Sequence, residues 1–165
     1  MDPLTVNVTI DRPREEVFAY LADIANHPEF SDHYLKDWHL TRIDSVGRGA
    51  GARYRVDAPL NRFGWADMTF IEVEPPHRIV AVGRGGKFNR IQSTAIWTLG
   101  PAPGGGTEVE YMIETVPALP TDRVVEALGG HRGWFRRKVR KAMQRLQSIL
   151  EENEGRGARA TVAGL

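Results

Sequence analysis

The first ordered signal in the chain is the run Leu4-Thr5-Val6-Asn7-Val8-Thr9-Ile10, in which apolar and polar side chains alternate strictly. Successive side chains of a strand point to opposite faces, so this run predicts a β-strand with one face buried. Asp11-Arg12-Pro13 punctuates it, and Val17, Phe18, Leu21 and Ile24 then recur at helical spacing. Proline suits the first turn of a helix, and Glu15 and Glu16 sit where the helix dipole favours acids, so residues 13–24 read as an amphipathic helix. Asn26-His27-Pro28-Glu29 starts a second short helix that runs to Tyr34, with Asn26 as its cap.

From Trp38 to Glu114 the period of two returns. Apolar and β-branched residues alternate in stretches separated by turn chemistry: Gly47-Arg48-Gly49-Ala50-Gly51, Pro59-Leu60-Asn61, Pro75-Pro76, Gly83 to Gly86, and Pro101 to Gly106. These boundaries predict six strands, near residues 37–46, 52–59, 64–74, 78–84, 90–99 and 107–116, joined into an antiparallel meander. A bulge that slips the parity by one is expected around Phe70 to Val73. The strongest periodicity comes last. At about 100° per residue, Phe135, Val139, Ala142, Met143, Leu146, Ile149 and Leu150 share an arc of roughly 120°, which predicts a long helix over residues 121–152. The small-residue stretch from Gly155 predicts a disordered tail over residues 153–165. The expected fold is therefore α+β: a curved antiparallel sheet of seven strands, two short helices, and a long C-terminal helix across the concave face. A sheet so curved leaves a gap beneath the helix.

Composition narrows the classes. At 165 residues the chain fits one domain, taken as residues 1–152. With 41% hydrophobic and 26% charged residues it is neither disordered nor fibrous. The absence of cysteine removes disulfides, thiolate catalysis and Cys-ligated metal. A net charge of +1 gives the whole molecule no strong pull toward nucleic acid or an anionic membrane, and its short apolar runs do not insert stably in a membrane. Met1-Asp2-Pro3-Leu4 lacks the look of a signal peptide, so a cytoplasmic protein is expected.

The segment Val8-Thr9-Ile10-Asp11-Arg12-Pro13-Arg14-Glu15-Glu16-Val17-Phe18-Ala19-Tyr20-Leu21-Ala22-Asp23 resembles the opening of the START-like, Bet v 1-like (SRPBCC) superfamily, in its bacterial polyketide cyclase/dehydrase branch. Pro28-Glu29-Phe30, the Gly47 to Gly51 turn, Glu74-Pro75-Pro76 and Gly105-Gly106-Thr107-Glu108-Val109 resemble that branch at the expected places. The resemblance covers residues 5–150 and implies a helix-grip fold with an internal cavity. It does not imply one activity, since similar proteins include lipid and quinone carriers, aromatase/cyclases and interaction modules.

Strand parity nominates the wall of that cavity: Tyr54 and Val56; Ala66, Met68 and Phe70; Ser93, Ala95, Trp97 and Leu99; Val109, Tyr111 and Ile113. By pattern alone this wall reads as packed core; the resemblance makes it a ligand site with Tyr54, Ser93, Trp97 and Tyr111 orienting the ligand. Val124, Val125 and Leu128 continue the helix's apolar face toward Phe135, and His131 and Arg132 fall on the same face. A cation on that stripe needs a partner or a polar ligand group, so Arg132 and His131 are placed at the pocket mouth. A break at Gly129-Gly130 would instead leave Arg132 solvated. The seven cations between Arg132 and Arg145 spread over the polar side of the wheel and read as a solvated face.

His27, His33 and His39 recur every six residues, a spacing that matches no metal motif, and Asp67, Glu72, Glu110 and Glu114 have outward parity. No metal, no cofactor and no catalytic pair is expected. The reading is a binder, and in one version a carrier, of a hydrophobic, lipid-like or aromatic small molecule. The alternatives are a polyketide aromatase/cyclase or dehydratase, and a protein-interaction module. A homodimer is left open.

Overall fold

The computed structural model describes residues 2–59, 62–119 and 131–163. The chain begins with β1 (Leu4–Ile10) and α1 (Arg14–Leu21), then a single 3-10 turn (Ile24–Asn26) that runs into α2 (His27–Ser31). Six strands follow: β2 (Leu35–Leu40), β3 (Gly51–Val56), β4 (Trp65–Glu74), β5 (Arg78–Gly85), β6 (Ile91–Pro101) and β7 (Thr107–Pro117). The last helix, α3, is described over His131–Glu152; the expected start at residue 121 lies outside the described residues. The seven strands form one antiparallel sheet in the order β1-β7-β6-β5-β4-β3-β2. This is the expected α+β, helix-grip architecture. The expected slip of parity is present: the β4–β5 register shifts between Phe70 and Glu72.

The predicted helix over residues 13–24 ends at Leu21, and the second short helix is shorter than expected. The reason lies in Asp23, whose extended backbone breaks the helix and whose carboxylate accepts the Ala25 amide at 3.1 Å. The first strand of the meander begins at Leu35 and stops at Leu40; the Thr41 amide still donates to the Gly51 carbonyl at 3.0 Å, and on the outer side of the strand the Leu40 amide donates at 2.8 Å to the carbonyl of Thr161.

The helix α3 buries Val139, Ala142, Met143, Leu146 and Ile149, all at most 2% exposed, against the concave face. Its C-terminal end is fixed by Arg12, which donates at 2.8 Å to the carbonyls of Leu150 and Glu151. Terminal carbonyls of a helix have no partner within it, and a guanidinium satisfies two of them while complementing the helix dipole. One turn further back, Arg145 donates to the Asp32 carboxylate and, at 2.9 Å, to the carbonyls of Glu29 and Gly155. Arg145 therefore departs from the expected solvated face: it ties α3 to α2.

Of the tail expected to be disordered, residues 153–163 are described, and they pack as a strap along α2. Gly157 donates to the Glu29 carbonyl and Ala160 to the Ala25 carbonyl, both at 2.9 Å, and Ala160 is 4% exposed. A side chain on Gly157 would collide with the Asp32 carboxylate, so glycine is what permits the close approach. Arg159 pairs with Asp23, and Arg156 pairs at 2.8 Å with Glu29, whose side chain is 3% exposed. Small residues in this segment serve packing against α2, a role composition does not reveal.

Glu29 Oε2 is also met by the Tyr20 hydroxyl at 2.7 Å. Replacing Arg156 with alanine leaves a buried carboxylate with one neutral donor, and is expected to lower stability by about 2 kcal/mol. Glu29→Gln in that background should recover part of the loss. Chemical denaturation of both variants checks this.

Candidate functional site

Between the sheet and the first half of α3 lies a cavity of about 380 Å³. Alternate residues of the strands reach it: Tyr54 and Val56 from β3, Ala66 and Met68 from β4, Ser93, Ala95 and Trp97 from β6, and Tyr111 and Ile113 from β7. The helix α3 contributes Trp134, Phe135, Val139, Ala142 and Met143. The other wall is α2 and the turn after it, which bring His27, Phe30, Ser31 and Tyr34. Apolar walls with a few placed polar groups are what a site for an apolar small molecule requires.

Of the residues predicted from strand parity and the helix wheel, the structure brings together Tyr54, Val56, Met68, Ser93, Trp97, Tyr111 and Phe135 on the cavity wall. Phe70 is corrected: it is fully buried and lies behind the wall, packed against Trp97 with ring centroids 6.2 Å apart and against His27 at 5.6 Å. The β4–β5 register shifts immediately after Phe70, before Glu72. Arg132 is corrected as well. Its side chain is 57% exposed and pairs at 3.5 Å with Asp2, outside the cavity. Leu128 lies outside the described residues, as do Val124, Val125 and the side chain of His131.

Among the wall residues that the sequence reading misses are His27, Tyr34 and Trp134. His27 is buried at the inner end, its ring 5.2 Å from Trp97, 5.3 Å from Phe30 and 6.5 Å from Trp38. Its Nε2–H donates at 2.9 Å to the Leu21 carbonyl. Loss of water around the ring pulls its pKa from 6.5 down to about 4, against the smaller opposing pulls of that carbonyl and Asp23. The imidazole is therefore neutral at physiological pH. The six-residue histidine spacing carries no common site: His33 contacts the Lys138 carbonyl at 3.1 Å, and His39 stands by Asp37.

Three phenols face one another through the cavity. Tyr34 stacks edge-on to Phe135 at 5.9 Å, Tyr54 lies against Trp38 at 4.5 Å, and Tyr111 against Trp97 at 4.9 Å. Burial raises the pKa of each above the ordinary phenol value. The rest of the rise comes from neighbouring groups: Tyr54 beside Tyr34, Asp67 beside Tyr54, and both other phenols beside Tyr111. Held neutral, they can donate hydrogen bonds to a ligand oxygen but not serve as bases. None of Asp67, Glu72, Glu110 and Glu114 is on the wall. No cluster of three or more metal-ligating side chains occurs among the described residues.

A family described as polyketide cyclase/dehydrase and lipid transport matches residues 1–151 by its sequence model. No curated protein matches the chain. Solved structures do. A Deinococcus radiodurans protein is 21% identical with a TM-score of 0.60, over 92% of this chain and 98% of that one. The KanY protein, solved in solution, is 18% identical with a TM-score of 0.68, over 90% and 96%. A Thermus thermophilus protein is 13% identical with a TM-score of 0.66, again over 90% of this chain and 96% of that one. At such identities the likeness is one of fold.

The buried imidazole makes acid stability a direct readout of this site. His27 titrates near 6.5 when unfolded and near 4 when folded, so between those values the unfolded chain holds the extra proton. Stability is expected to fall as pH drops through that window, by on the order of 3 kcal/mol from this residue. His33, also lowered mainly by burial, acts in the same direction. Denaturation midpoints of wild type and His27→Gln across that range should diverge, the variant losing less.

Proposed function

The chain belongs to the polyketide cyclase/dehydrase and lipid transport family, and on that premise we propose that it binds a hydrophobic small molecule with an oxygen-bearing ring or head in the cavity beneath α3. The observation that carries this reading is the pairing of an apolar wall with three neutral phenols, Tyr34, Tyr54 and Tyr111. Burying apolar ligand surface at about 25 cal/mol per Å² supplies the affinity. The phenols supply the orientation, donating to a carbonyl or hydroxyl of the ligand. Trp97 and Phe135 favour flat rings, since aromatic faces pack best against one another.

One observation favours cyclisation of a polyketone as the second reading. Among the described residues His27 is the imidazole on the cavity wall, and its neutral state suits proton transfer. Its Nε2 is already committed to the Leu21 carbonyl, which leaves Nδ1 for that chemistry. The binding reading needs only the three phenols in the neutral state in which burial holds them, and so is preferred.

Native mass spectrometry with a flat aromatic ketone as probe tests the proposal, with one molecule bound per chain expected. Ser93→Phe fills the cavity from β6 and should abolish uptake without loss of fold. Tyr111→Phe is expected to weaken a carbonyl-bearing probe about threefold to tenfold and to leave an oxygen-free hydrocarbon probe unchanged. Equal effects on both probes would overturn the assigned role of the phenol. Conversion of a polyketone by wild type but not by His27→Gln would move the second reading ahead.

A further inference from the structure

The mouth of the cavity differs from its walls. Phe63, in the β3–β4 hairpin, and Lys87, in the β5–β6 hairpin, both line the cavity and are exposed, so among the described residues the cavity meets solvent between these two hairpins. Phe63 is 50% exposed and Phe88, next to Lys87, is 74% exposed. The Lys87 ammonium lies 5.6 Å from the Phe63 ring centroid and 5.3 Å from that of Phe88, and the Arg90 guanidinium 4.9 Å from Phe88. Two aromatic rings and two cations thus form one patch. Leu119, 40% exposed, follows Ala118, whose amide donates at 2.9 Å to the Arg90 carbonyl. Arg62 adjoins Phe63 in sequence, and the stretch Arg84-Gly85-Gly86-Lys87-Phe88-Asn89-Arg90 contains no acid.

The backbone adds a second signal. Phe88 has φ +58° and Asn89 φ +55°, both left-handed. Asparagine adopts that region readily, whereas a bulky aromatic residue there is strained. Phe88 is therefore unfavourable twice, through its backbone and through the ring it leaves in water. Strain and exposed apolar surface at one position mark a surface that meets something outside the chain.

We propose that this mouth docks on an anionic lipid bilayer. Aromatic rings settle at headgroup depth, and flanking lysine and arginine side chains reach the phosphates. The patch sits on projecting hairpin tips, a shape suited to a deformable surface. Its cations all carry one sign, and the opening between its rings leads into an apolar cavity. The net charge of +1 hides this local excess; the acid carried by the β3–β4 hairpin, Asp57, pairs at 3.7 Å with Arg55. The proposal concerns the mouth and is independent of which ligand the cavity takes.

Flotation of the full chain, free of added ligand, with vesicles of phosphatidylglycerol and phosphatidylcholine in equal parts tests it. Wild type should float with these vesicles and not with pure phosphatidylcholine, and salt should release it. Reversing charge in Lys87→Glu with Arg90→Glu should weaken binding by about tenfold or more. Phe88→Asn should also lose binding, yet raise the melting temperature, because asparagine relieves the left-handed backbone. A melting temperature that rises while binding falls separates this role from a structural one. Three results would overturn the proposal: flotation of Phe88→Asn equal to wild type, equal binding to both vesicle types, or no flotation. No flotation together with binding to soluble polyglutamate would assign the patch to an acidic protein. No flotation together with a dimer abolished by Phe88→Asn would assign it to a second copy of the chain.

Discussion

The cavity exists because α3 is held at one end. Arg12 closes over the last carbonyls of the helix, and Arg145 binds the Asp32 carboxylate and two further carbonyls. Between these two guanidinium groups the helix packs as tightly as any core, with Leu146 fully buried. Toward the N-terminal side the helix borders the cavity. Trp134 and Phe135 are only partly buried and line it, both in contact with the Tyr34 ring. One helix cannot follow a strongly curved sheet along its whole length, and the arginine anchors decide which end stays closed.

The interior and the mouth divide the polar chemistry. Inside, burial holds His27 and three phenols in their neutral forms, so the cavity carries no formal charge from these groups. The full charges gather where water is available, on Lys87 and Arg90 at the opening. A ligand with one oxygenated end can therefore be gripped at depth without the cost of burying an ion.

Most of the fold was legible because it is written in local periods. Alternation placed every strand, and the register of β6 against β7, from Ile91–Pro117 to Pro101–Thr107, preserves that alternation across the sheet. The same parity put Tyr54, Ser93, Trp97 and Tyr111 on the cavity wall. What escaped depends on long separations or short elements. His27 sits in a helix of five residues, too short to show a period. Glu29 looks like an ordinary helix-start acid, and its burial depends on Arg156, 127 positions away. Arg132 was placed by extending the wheel back to the glycines, but its guanidinium turns instead to Asp2. Phe70 had the right parity and the wrong depth, since alternation tells which face a residue takes and not how far from the rim it lies.

The C-terminal strap also bears on how copies of this protein coexist at high concentration. In the order of the sheet β2 is an outer strand, with only β3 beside it, and an unpaired edge is a template onto which another chain can add. Here the edge is spoiled twice. Asp37, with φ +54°, interrupts the β2–β3 register, and Thr161 occupies the Leu40 amide. Residues beyond the reach of the family match, which ends at residue 151, thus cover part of this edge. The strap removes an edge amide that a second strand would need, a task the core does not perform.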